Sequence, residues 1–225
     1  MSLSDLPLRH CAVLTPTREG VTSATRNCIS ELEQLGAERL DMAGCSDVAL
    51  ARNLLLSRAY RHMPDHITTF LLVDDDMIFD RATAQLLVER AEQEGKPVSA
   101  VYPTNTLQLA AMRWENGLWL TGLGFVALPR VLLRNFVSQH KALPALNGIE
   151  VWPFCQSAPS PDGSMWWSED YWLSYNMGGV VLARLTAKHF KRMPLFADEQ
   201  TLQQLFDEPT PAATTGPKGP EEGTP

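Results

Sequence analysis

Apolar residues in the first hundred positions follow two alternating rhythms. Short unbroken runs, CAVLT (11–15), ITTFLLV (67–73) and VSAVYP (98–103), have the length and composition of strands buried on both faces. Between them the apolar positions recur at helical spacing. Ala24, Cys28, Ile29, Leu32 and Leu35 fall on one helix face, and Gly36 ends it. ERLDMA (38–43) reads as a further strand. Ser46 or Asp47 can cap a helix through VALARNLLLSRAYRH (48–62), and Asp80 can cap RATAQLLVERAEQE (81–94), which stops at Gly95. Four strands separated by three helices predict a mostly parallel sheet with helices on its faces, an α/β fold.

The rhythm changes after residue 104. Two apolar segments flank Asn116-Gly117, a dipeptide suited to a type I′ hairpin. GFVALP (124–129) is a strand, Pro129 suits the first turn of a helix through VLLRNFVSQ, and VVLARL (180–185) is the last strand. Residues 152–168 form a long irregular segment carrying Trp152, Trp166 and Trp167, followed by a short helix in SEDYWLSYNMGG that also holds Trp172. A long loop with this aromatic content suits binding of a flat or cyclic ligand, or packing against the core. From Asp207 onward the chain is rich in proline and glycine and poor in apolar groups, so residues 1–206 are expected to fold and 207–225 to form a disordered tail.

Composition narrows the options. With 225 residues, 44% of them hydrophobic, the chain supports one substantial core. A formal net charge of −7 argues against a broad nucleic-acid-binding face. No window approaches the length of a transmembrane segment, and no signal peptide is evident at the start. Cys11, Cys28, Cys45 and Cys155 show no metal or disulfide spacing, so a reducing, cytoplasmic setting is expected.

The most costly feature is FLLVDDDMIF (70–79), in which a buried strand runs into Asp74, Asp75 and Asp76. Three like charges at a strand end repel one another unless a cation relieves them. Ligands of open α/β sheets bind at the carboxyl ends of strands. If the segment stays extended, Asp74 and Asp76 point the same way and suit Mg²⁺ or Mn²⁺. The plainer reading is a polar strand exit with helix-capping aspartates.

The apolar strand ending in D-x-D resembles the metal site of glycosyltransferases with the GT-A fold. Four more segments resemble that family in the same order: SDVALARNLLL (46–56), AVYPTNT (100–106), LTGLGFVALPRVLL (120–133) and WSEDYWLS (167–174). Together they span roughly residues 11–196. The resemblance implies one GT-A domain, with a Rossmann-like sheet, helices on both faces and a small antiparallel extension. It implies transfer of a sugar, with inversion, from a nucleotide-diphosphate donor such as a UDP- or GDP-sugar. The acceptor hydroxyl is left open among glycan, lipid, protein and modified base.

The same resemblance assigns roles. Thr15, Pro16 and Thr17 would cradle the nucleotide, and Gly122 and Gly124 would border the donor sugar. Asp76 would contact Mn²⁺ or Mg²⁺, with Asp74 on the nucleotide side or reaching the metal through water. Asp170 would be the base, with Glu169 binding the acceptor; the alternative is that both merely open a helix. His189 lies where the family commonly supplies a histidine ligand, although LTAKHFKR departs from the usual H-x-G setting. Arg52 reads either as a donor-phosphate contact or as an ion pair with Asp74 or Asp75. Two other functions share these features: a haloacid-dehalogenase-like phosphatase with Asp74 as nucleophile, and a non-catalytic nucleotide-sugar-binding module.

Overall fold

A computed structural model describes residues 7–104, 108–144, 149–190 and 194–195; the expected tail lies outside them. The first half follows the rhythm of its sequence. Strands β1 (Cys11–Pro16), β2 (Glu38–Met42), β3 (Thr69–Val73), β4 (Met77–Ile78) and β5 (Val98–Val101) alternate with helices α1 (Ser23–Gln34), α2 (Val48–His62) and α3 (Arg81–Glu94). Asp47 caps α2 by accepting from the Leu50 N–H, and Asp80 caps α3 by accepting from the Thr83 N–H. Gly95 closes α3 in the left-handed conformation, φ 62°, where any side chain would be strained. The cap of α1 is Thr22, whose hydroxyl accepts from the Thr25 N–H.

The second half adds β6 (Ala111–Arg113), β7 (Trp119–Thr121), β8 (Phe125–Pro129), α4 (Arg130–Gln139), β9 (Leu143–Pro144), β10 (Glu150–Val151), β11 (Ala158–Pro159), β12 (Trp166–Trp167), α5 (Glu169–Asn176), β13 (Val181–Thr186), β14 (Lys188–Phe190) and β15 (Pro194–Leu195). The central sheet has the order β13-β5-β8-β3-β1-β2. All its pairings are parallel except those of β8, which runs antiparallel to both β3 and β5. The remaining pairs are short and antiparallel.

Alternate residues of the central strands feed two cores, one on each sheet face. Cys11, Val13, Leu71 and Val73 pack with Ile29, Leu32, Leu87 and Val88 of α1 and α3. Ala12, Leu14, Phe70 and Leu72 pack with Leu56, Leu133, Phe136 and Leu173 of α2, α4 and α5. Burial on both faces is the reason these strands read as unbroken apolar runs. No described helix is long and apolar enough to cross a membrane.

Two expectations need correction. Asn116-Gly117 does not form a two-residue hairpin. Residues Glu115–Gly117 make a turn of 3₁₀ helix between β6 and β7, closed by the Trp114 N–H donating to Leu118 O at 2.7 Å. Nor is Asp74–Asp76 extended. Asp74 O accepts from Met77 N at 3.3 Å, so the three aspartates sit in a turn and alternation does not govern them.

Candidate active site at the carboxyl edge of the sheet

Parallel pairing of β1 with β3 places Pro16 and Thr17 on the same sheet edge as the aspartate turn. A cavity of about 210 Å³ opens there, lined by Pro16, Thr17, Arg18, Cys45, Ser46, Val48, Ala51 and all three aspartates. Thr15, expected among the nucleotide contacts, is instead fully buried in β1 below the cavity. The Thr17 hydroxyl accepts from Gly20 N at 2.8 Å and shapes the loop after β1. A larger cleft, about 500 Å³, is lined by Ile67, Thr68, Pro129 and Arg130 at the other end of β3. Its Arg130 is committed to the carbonyls of Tyr60, Met63, Pro64 and Ile67, so that cleft offers structure rather than chemistry.

Arg52 is the centre of the site. It is 3% exposed on α2 and binds three carboxylates from two parts of the chain. Its Nη2 donates to both oxygens of Asp74, at 2.9 and 3.1 Å. Its Nη1 donates to Glu169 at 3.2 Å and to Asp170. The expected ion pair with Asp74 is therefore present and extends to the E-D pair. The Asp75 carbonyl accepts from Thr22 N at 3.0 Å.

Three carboxylates share one guanidinium, so the group would carry a formal charge of −2 if all were ionised. Burial pushes the Asp170 carboxyl up to about 6, with Glu169 and Asp74 adding to the rise and Arg52 opposing it. Asp170 also accepts from the backbone of Leu123, and its side chain keeps 23% of its exposure, so it retains access to solvent. Burial lowers the Arg52 pKa, but the charges of Asp170 and Asp74 outweigh it and hold the guanidinium well above its ordinary pKa.

Gly122 and Gly124 serve a residue that the sequence reading did not assign. The Tyr102 hydroxyl, buried at the end of β5, accepts from Gly124 N at 2.7 Å. A Cβ on Gly124 would lie 2.8 Å from that hydroxyl and 3.0 Å from Asp74 Oδ2, and one on Gly122 would meet the hydroxyl still more closely. The glycines are thus spaces for Tyr102 and Asp74. Gly124 O in turn accepts from Asp74 N at 2.9 Å, which fixes the first aspartate. The clue in the sequence was G-x-G opposite a strand ending in tyrosine.

His189 reaches the site through strand pairing. Met77 and Ile78, which follow the aspartates, form β4 and pair antiparallel with β14, with Met77 opposite His189. This brings His189 Nε2 within 3.1 Å of Asp76 Oδ1. Its Nδ1 lies 3.1 Å from Pro103 O, and a carbonyl only accepts, so Nδ1 carries the proton. In the neutral ring the Nε2 lone pair then faces a carboxylate, an arrangement relieved by protonation or by a cation. Two ligands at right angles on a metal, each about 2.1 Å from it, stand about 3 Å apart, so the pair fits adjacent positions on an octahedral cation. No cluster of three or more metal-ligating side chains occurs among the described residues. Asp74 is directed to Arg52 instead.

The tryptophans divide. Trp167 is fully buried and packs edge-on to Trp114, with centroids 5.0 Å apart, so it belongs to the core. Trp152 packs against Tyr60 and beneath Arg61. Trp166 is 69% exposed and is left as a candidate acceptor contact.

No family model matches the chain, and no curated protein matches it. Among solved structures, A197 from STIV is similar with a TM-score of 0.54 and 19% identity, covering 84% of this chain and 95% of that one. The two share a fold. A mutant of UDP-glucose pyrophosphorylase from Leishmania major matches more loosely, with TM-score 0.39 and 9% identity over 79% of this chain and 62% of that one.

Proposed function

We propose that the chain is a metal-dependent glycosyltransferase of GT-A type that moves a sugar from a nucleotide-diphosphate donor to an acceptor hydroxyl with inversion. The observation that carries this reading is the Arg52 bridge. It joins the first aspartate of the turn, beside a cavity at the carboxyl ends of β1 and β3, to Glu169 and to Asp170, whose carboxyl burial pushes up to about 6.

Pro16, Thr17 and the aspartate turn would border the nucleotide. Asp76 and His189 would hold Mn²⁺ or Mg²⁺, which when bound offsets the charge of the donor diphosphate. Asp170, ionised above about pH 6, would take the proton of the acceptor hydroxyl. The acceptor oxygen would then bond to the anomeric carbon as the bond to the diphosphate breaks, its electron pair leaving with the phosphate. Glu169, on the same Nη1 of Arg52, would orient the acceptor. Both Asp74 oxygens accept from Arg52, which disfavours Asp74 as a phosphatase nucleophile.

The experiment is a thermal-shift panel of UDP- and GDP-sugars with Mn²⁺, paired with an assay of nucleotide release to water. One donor should raise the melting temperature and be slowly hydrolysed, and chelator or Asp76→Ala should abolish the release. Absence of any donor-dependent shift with Mn²⁺ sinks the proposal. Donor binding without release under any acceptor condition would favour a binding module.

A further inference from the structure

We infer that Arg52 is a positioning residue shared by the two halves of the site, a single guanidinium that fixes the donor-side Asp74 and the acceptor-side Asp170 relative to each other. The inference rests on the transferase reading above. Its geometric basis is a division of labour within one side chain. Nη2 serves only Asp74 and Nη1 serves only Glu169 and Asp170, partners 22, 117 and 118 positions away in sequence. A guanidinium is a planar fork whose donors keep fixed angles, so gripping Asp74 determines where Nη1 points. An ammonium is a point charge without that constraint.

The support behind Arg52 is stiff. The next residue, Asn53, donates from its side-chain amide to Cys155 O at 2.8 Å and accepts from Cys155 N at 2.7 Å. Both bonds are buried and tie this turn of α2 to the segment that leads to the E-D pair. Leu123, beside Gly122 and Gly124, supplies Asp170 with a backbone donor from the other side. Asp170 is thus located by a helix and a turn, and Asp74 by the same helix and Gly124. In a displacement, the base and the departing diphosphate must lie on opposite sides of the reacting carbon, and a misplacement of about 1 Å costs about 10²-fold in rate. A link between the two sides that does not touch either substrate meets that requirement. The rival account is simple neutralisation of buried carboxylates, which a lysine would also provide.

The test uses the full chain with UDP-glucose and GDP-mannose as donors, Mn²⁺, and water as acceptor. Wild type, Arg52→Lys and Arg52→Ala are compared for kcat and donor KM, with circular dichroism as the check on folding. The expected result is a donor KM within about threefold of wild type and a kcat lower by about 10²-fold in both variants. Added guanidinium ion should recover part of the loss in Arg52→Ala and nothing in wild type. Wild-type kcat in Arg52→Lys would mean that charge alone suffices and would overturn the inference. A raised KM at unchanged kcat would make Arg52 a donor contact, with the same consequence. Loss of the fold in both variants would make it a stabilising residue and overturn the inference too. If wild type releases nucleotide from neither donor, the panel donor with the largest thermal shift replaces them, and no release from that donor either fails the transferase reading itself, before any variant is compared.

Discussion

Asp170 has two pH-dependent properties with opposite senses. Its folded pKa, about 6, lies above the ordinary carboxylate value of 3.8 because burial disfavours the charged form. A base must be ionised, so kcat/KM should rise as pH rises through about 6, and Asp170→Asn should lower transfer by about 10²–10⁴-fold. Stability runs the other way. A raised folded pKa contributes stability fully present below about pH 3.8 and lost as pH rises through about 6. The melting temperature of Asp170→Asn relative to wild type should therefore be more favourable at pH 7 than at pH 4, as paired calorimetric scans would show. Full transfer by Asp170→Asn would remove it as the base while leaving the fold untouched. At the same scale, Gly124→Ala should destabilise by about 1–3 kcal/mol, because Tyr102 and Asp74 fill the space of the new methyl. Tyr102→Phe removes the hydroxyl that the methyl meets, so the double variant should lose less than the sum in urea unfolding.

Between elements, the cross-link from α2 to the long segment before α5 is the testable joint. Asn53→Ala would leave the Cys155 N–H and carbonyl buried without partners and should cost about 2–3 kcal/mol. It should also speed the reaction of the buried Cys155 thiol with a thiol reagent, since the segment loses its tie. Unchanged thiol reactivity would show that the packing of Phe154 and Trp152, with the bond from Trp152 N–H to the Ser57 hydroxyl, suffices to hold the segment. Joints of this kind mark the limit of what local sequence reveals. Asp47, Asp80 and Gly95 announce the ends of α2 and α3 because a cap is a contact over three or four residues. The turn at Asp74–Asp76 is not distinguished from an extended strand end in the sequence because nothing local separates that end from a turn that starts a second, two-residue strand. His189 at Asp76 depends on β4 pairing with β14, more than a hundred residues apart, and Arg52 on α2 meeting α5. The resemblance supplied the names of these residues, but their partners come from the tertiary fold. The hairpin around Asn116-Gly117 does form, as β6 paired with β7, but the Trp114–Leu118 bond closes a longer loop than the dipeptide suggests.

Across the molecule, two apolar cores clamp the sheet, and the acidic groups gather at its carboxyl edge. The fold spends stability there by holding Asp74, Glu169 and Asp170 on one arginine and Asp76 against His189. A divalent cation that binds only the folded chain should return stability as RT ln(1 + [L]/Kd), about 2.7 kcal/mol at a hundredfold excess over Kd. For a chain of this length that corresponds to a rise of about 5–10 °C in Tm. Mn²⁺ should produce the rise in wild type, and a chelator should reverse it. His189→Ala should remove most of the response, whereas Trp166→Ala, on an exposed surface position, should keep it. Ca²⁺ provides the control for charge alone, since it prefers more oxygen ligands and longer bonds than one imidazole and one carboxylate supply. Equal shifts with Ca²⁺ and Mn²⁺, or a full Mn²⁺ response in His189→Ala, would mean that the acidic edge gathers cations diffusely. The Asp76–His189 pair would then be an ion pair of the protein itself, with the imidazole protonated between Pro103 and Asp76.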